Sequence, residues 1–134
     1  MRVIPQKDGS LWIEEPERTS GFDMGNRSMF IKTNGRGDLN QIYFAKGAHA
    51  GTWSLTLTVD SQPITFQTAR ALGHLWQLHH QSDFAKVDAT IFLEDKKPCV
   101  FERLEMQAPQ KKDLNLDEEG IGKKGRDIFL YART

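Results

Sequence analysis

The chain carries one cysteine, Cys99, in 134 residues. No intramolecular disulfide can form, so the fold must hold by packing alone. Nor does the thiol read as catalytic, because no base or electropositive setting is legible beside it. It is expected as a half-buried thiol at the start of a strand. Charge of one sign is also lacking: eighteen basic residues face eighteen acidic ones. A general nucleic-acid binder shows a basic excess or stripe, and anionic lipid needs the same, so neither partner is expected. No apolar stretch approaches the length of a membrane-spanning helix. The first eight residues, Met1-Arg2-Val3-Ile4-Pro5-Gln6-Lys7-Asp8, lack the apolar core of a secretory signal. A reducing cytoplasm is the expected location.

What the chain does have is alternation. In Thr52-Trp53-Ser54-Leu55-Thr56-Leu57-Thr58-Val59, Trp53, Leu55, Leu57 and Val59 project to one face of a strand, and the hydroxyl residues to the other. β-Branched threonine and valine suit a pleated, half-buried surface. Trp53 shares its face with three aliphatic residues and is expected in the core. Val87, Ala89, Ile91 and Leu93 alternate in the same way with Asp88, Thr90, Phe92 and Glu94. After the turn Asp95-Lys96-Lys97-Pro98, Val100, Leu104 and Met106 share a face with Glu102.

Further strands are expected at Leu11–Glu14, Ser28–Thr33, Leu39–Phe44, Ile64–Gln67 and Asp127–Ala132, with Gln62-Pro63 as a turn. Asn34-Gly35-Arg36-Gly37-Asp38 joins two of them as a glycine hairpin. Residues 69–81 fit both periods. Ala69, Leu72, Leu75, Trp76 and His79 fall at helical spacing, and Leu72, His74, Trp76, Leu78 and His80 share a strand face. The β surroundings and Gly73 favour strand. Residues 1–27 read as a turn-rich segment and 109–126 as a mobile charged loop. The expected fold is a single all-β domain, an antiparallel β-sandwich of about eight to ten strands. A core of this size needs neither disulfide nor metal.

Several motifs dissolve in context. Gly120-Ile121-Gly122-Lys123-Lys124-Gly125 spells G-x-G-x-x-G, but a charged loop precedes it and a strand follows, the reverse of a pyrophosphate cradle. Arg36-Gly37-Asp38, an adhesion tripeptide, is half of a hairpin. Asn26-Arg27-Ser28 fits a glycosylation sequon, without meaning unless the chain is secreted. His74, His79, His80 and Asp83 form the His-rich cluster. On a strand His74 and His80 are too spread to ligate one ion, whereas on a helix His79 and Asp83 would fall at i and i+4 and could ligate. With no H-E-x-x-H or Cys-x-x-Cys beside them, no metal and no cofactor is expected. Asp88, Glu94, Glu102 and Glu105 are read as a solvated outer face rather than as a facing acid pair, and no catalytic residue is assigned. Trp12, Trp76, His74 and His80 are the candidate carbohydrate-binding residues. Aromatic faces flanked by polar groups hold sugar rings on β scaffolds, and Trp12 is the tryptophan expected nearest the surface.

Two hairpins carry a family resemblance. Met29–Phe44 (Met-Phe-Ile-Lys-Thr-Asn-Gly-Arg-Gly-Asp-Leu-Asn-Gln-Ile-Tyr-Phe) resembles the opening hairpin of the N-terminal β domain of bacterial glucoamylase- and glucodextranase-like glycoside hydrolases. Ala89–Met106 is similar to a later hairpin of that domain, and Thr52–Val59 lies between them in order. The resemblance covers residues 28–107. It implies a supersandwich (galactose-mutarotase-like) fold and a non-catalytic accessory role in carbohydrate metabolism. The partners it implies are a helical catalytic domain or a second copy of the chain, with an oligosaccharide as ligand. In that family the catalytic glutamates belong to the helical barrel, so no residue here inherits their role. Two alternatives stay open: a stand-alone protein that self-associates through a sheet face, and a small β-barrel binding a ligand in a cavity lined by His74 and His80.

Overall fold

The computed structural model describes residues 2–16, 22–45, 49–59, 61–83, 85–97, 100–107, 114–120 and 126–133. It is all-β, and the strands lie in two sheets. The first sheet contains β1 (Arg2–Pro5), β2 (Leu11–Glu14), β8 (Thr68–Leu72), β9 (Leu75–Gln81), β10 (Lys86–Leu93), β11 (Val100–Gln107) and β13 (Arg126–Arg133), in that spatial order. The second runs β12 (Leu114–Gly120), β6 (His49–Val59), β5 (Leu39–Phe44), β4 (Met29–Thr33) and β3 (Asp23–Gly25), with β7 (Gln62–Pro63) paired to β6. All neighbours are antiparallel except β11 and β13, which pair in parallel.

One core lies between the sheets. Ile31, Leu39, Ile42 and Leu57 face it from one side, and Ala69, Trp76, Leu78, Val87, Ala89, Ile91 and Leu104 from the other. Burial alternates along β9, β10 and β11 as the sequence pattern requires. Trp76 joins the layers: it is fully buried, its Nε1–H donates to the Asn34 carbonyl at 2.9 Å, and Phe22 stacks on it with ring centroids 5.6 Å apart. A second tie is polar. Asn26 Nδ2 donates to the carbonyls of Glu94 (2.7 Å) and Lys97 (2.9 Å), and Ser28 Oγ to that of Lys96. The β3–β4 turn is thereby fastened to the β10–β11 turn.

The strand count exceeds ten because short pieces at the sheet margins pair as strands. Gln62-Pro63, expected as a turn, pairs with β6, whereas Ile64–Gln67 is not a strand but the connection from one sheet to the other. Phe66 of that segment is buried, which explains its strand-like apolar pattern. Leu114–Gly120 lies in the expected loop 109–126, yet it pairs with β6 over seven register positions. Residues 109–113 and 121–125 of that loop, the latter holding the Gly120–Gly125 motif beyond Gly120, and Cys99 lie outside the described residues, and Arg126 opens β13. So do the side chains of Trp53, Leu55 and Val59; Leu57 of the same run is buried and Thr52, Ser54 and Thr56 are exposed. Residues 69–81 are a hairpin, with Gly73-His74 as a two-residue loop between Leu72 and its partner Leu75.

Candidate ligand-binding site

The four candidate residues separate. Trp76 and His80 point inward and are 0% and 5% exposed. His80 Nδ1 lies 2.7 Å from the Thr65 carbonyl and Nε2 3.0 Å from Ser82 Oγ, which fixes the ring between β9 and the connecting segment. Neither residue presents a face to a solute. His74 sits in the hairpin turn, exposed, beside a cleft of about 270 Å³ that Asn26, Glu94 and Asp95 also line. There the backbone N–H groups of Lys97 and Lys96 donate to Glu94 and hold its carboxyl below the usual range. His74 and His80 therefore share no cavity. Trp12 alone of the four stands on the outer face of the seven-stranded sheet, half-buried.

The ladder registers show what surrounds it. Trp12 is opposite Arg70 of β8, Arg70 opposite Gln77 of β9, and Gln77 opposite Thr90 of β10. The adjacent outer row is Glu14, Thr68, His79, Asp88 and Glu105. Trp12 reaches diagonally to His79, with ring centroids 5.8 Å apart and an interplanar angle of 18°. His79 Nδ1 is 2.7 Å from Asp88 Oδ1. The carboxylate orients the imidazole, and the imidazole backs the indole.

The other wall comes from the β1–β2 hairpin, whose loop Gln6–Ser10 is closed by Gln6 N–H to the Ser10 carbonyl (2.8 Å) and Gly9 N–H to the Gln6 carbonyl (3.1 Å). Gly9 has φ +86°, a region open to glycine and strained for other residues. Asp8 Oδ1 accepts from Ser10 N–H at 2.9 Å and from Ser10 Oγ at 2.5 Å, and its Oδ2 accepts from Arg70. Arg70 Nε also donates to Ser10 Oγ at 3.1 Å. The two Ser10 hydrogen bonds, helped by the Arg70 guanidinium, lower the Asp8 carboxyl from its ordinary 3.8 to about 2. Gln6, Lys7, Asp8, Ser10, Trp12 and Arg70 enclose an open cleft of about 560 Å³.

The site is thus built by residues 60 or more positions apart. In sequence, Asp8 and Ser10 belong only to the turn-rich segment 1–27, with nothing to connect them to Arg70. The carboxylates likewise divide. Asp88 and Glu105 stand opposite each other on the outer face, but Glu102, expected there too, is 2% exposed. It shares the inward parity of Val100, Leu104 and Met106. The Arg36-Gly37-Asp38 loop is a structural hairpin: Asn34 Oδ1 accepts from the Arg36 (2.9 Å) and Asp38 (3.2 Å) amides, and Asp38 is 9% exposed. Among the described residues there is no group of three or more potential metal ligands and no helix long and apolar enough to cross a membrane. No family model, curated protein or solved structure matches the chain.

Proposed function

We propose that the chain is a non-catalytic β-sandwich accessory module of carbohydrate metabolism that binds oligosaccharide in the cleft around Trp12. The observation that carries this is a half-buried tryptophan on a paired strand, backed by His79 and facing a cleft with a polar rim of Gln6, Lys7, Asp8, Ser10 and Arg70. An apolar ring face with hydrogen-bonding groups at its margin matches the amphipathic surface of a sugar ring. Further support is the resemblance of the β4–β5 and β10–β11 hairpins to the N-terminal domain of glucoamylase-like hydrolases. Tryptophan fluorescence, titrated with malto- and isomalto-oligosaccharides, tests it. A saturable change that Trp12→Ala removes is expected; no response at millimolar ligand refutes it.

A second observation favours self-association or packing on a helical partner domain. Leu72, Leu75, Phe92 and Phe101 form one continuous row across four strands of the outer face. Phe92 and Phe101 stack with centroids 5.1 Å apart. Light scattering at micromolar concentration distinguishes this role, and a clean monomer counts against the second-copy version.

A further inference from the structure

The hydrogen-bonding groups of the Trp12 cleft are unevenly spent. Asp8 has both oxygens engaged, Oδ1 by the Ser10 amide and hydroxyl and Oδ2 by Arg70. The Ser10 hydroxyl donates to Asp8, and Gln6 Nε2 donates to the Ile4 carbonyl at 3.0 Å. The Lys7 ammonium and the Trp12 indole N–H have no partner among the described residues, and Arg70 uses Nε and Nη2 but not Nη1. The side-chain groups left for a ligand are therefore mostly donors, with Gln6 Oε1 and the second lone pair of Asp8 Oδ2 as the acceptors among them. The charges run the same way. Asp8 and Arg70 neutralise each other, and Lys7 leaves the cleft one positive charge in excess.

We infer that the cleft selects acidic saccharides, those whose rings carry a carboxylate, over neutral ones. The ring would lie against Trp12, and its carboxylate would take hydrogen bonds from Lys7 and Arg70. Charge-assisted hydrogen bonds are stronger and shorter than neutral ones, although exposure to water limits them here. Ser10 and Arg70 already occupy three of the roughly four acceptor sites of the Asp8 carboxylate, which reduces what the cleft offers the hydroxyls of a neutral ring. This specificity rests on the sugar-binding role proposed above.

The test is calorimetric titration of the whole chain with a neutral and an acidic oligosaccharide of equal length, for example maltotriose and trigalacturonate, at low salt and at 0.5 M salt. The acidic ligand should bind about three- to tenfold more tightly at low salt, with the preference shrinking as salt screens it. Lys7→Gln should bring the two affinities within about twofold while the melting temperature stays unchanged, and Trp12→Ala should weaken both ligands together. Equal binding of the two ligands overturns the acidic preference and leaves the sugar-binding role standing. Binding of neither overturns both. An acidic preference that survives Lys7→Gln places the selectivity elsewhere and overturns the assignment to this cleft.

Discussion

Trp76→Phe is the sharpest probe of how the two sheets are joined. Trp76 is fully buried, and its indole N–H donates to the Asn34 carbonyl at 2.9 Å. Phenylalanine keeps an aromatic face for Phe22, whose ring stacks at 5.6 Å, but removes the N–H and leaves the space of the second ring unfilled. The Asn34 carbonyl still accepts from the Gly37 amide at 3.3 Å, so it is not orphaned, and the lost bond costs only about 1 kcal/mol. Three missing ring atoms and the resulting cavity add about 2 kcal/mol. The total is about 3 kcal/mol. At typical unfolding entropies for a domain of this length, that lowers the melting temperature by about 10 °C. Thermal unfolding followed by circular dichroism, with Trp12→Phe as control, measures it. Trp12 is half-buried and makes no hydrogen bond through its indole N–H among the described residues, so its change should cost under about 1 kcal/mol. A drop below about 3 °C for Trp76→Phe, or an equal drop for both variants, would refute the assignment of Trp76 as the inter-sheet tie.

Asn34→Ala should destabilise the chain by about 2–4 kcal/mol, because one buried side chain donates to Asp38 (3.0 Å) and Asn40 (3.1 Å) and accepts from the Arg36 and Asp38 amides; urea unfolding that loses less than about 1 kcal/mol contradicts this. Asp8 should titrate with a midpoint near 2, read by NMR at its carboxyl carbon. Since its folded value lies below the ordinary 3.8, the loop's ionic contact is fully present above about pH 4 and is lost as pH falls toward 2. A midpoint near 4 would mean that the Ser10 and Arg70 contacts do not hold in solution.

Strands whose two faces differ were legible as sequence. In β10, Val87, Ala89 and Ile91 are buried while Asp88, Thr90 and Phe92 are less so, which is the alternation of the residues themselves. Leu11–Glu14 and Leu39–Phe44 coincide with β2 and β5 because short apolar and aromatic runs are bounded there by Gly, Pro and Asp, although burial does not alternate cleanly along either. β1, β3 and β7 carry no such signal. They are two to four residues long and exist through register with a neighbour, a tertiary cause that local propensity does not encode. The parallel pairing of β13 with β11 is of the same kind. Parity within residues 69–81 was decided by one feature, the Gly73-His74 loop. It takes His74 out of the strand and leaves Trp76, Leu78 and His80 facing inward.

That parity also explains where ligand chemistry can sit. In a two-sheet sandwich the inward residues of both layers are consumed by the core, so a buried tryptophan or histidine serves cohesion however suitable its ring would be for a sugar. Trp76 and His80 are lost to recognition in this way, while Trp12 and His79, of the same types and opposite parity, meet on the outer face. An outer face is flat, and a flat face encloses nothing; here the β1–β2 loop supplies the missing wall by folding Asp8 and Ser10 back onto Arg70. The cleft therefore depends on a contact between a turn and a strand far apart in sequence. Breaking the Asp8–Arg70 link should open the site without unfolding the sandwich, since Asp8 is about half exposed and Arg70 about a third, and exposed ion pairs contribute little to global stability.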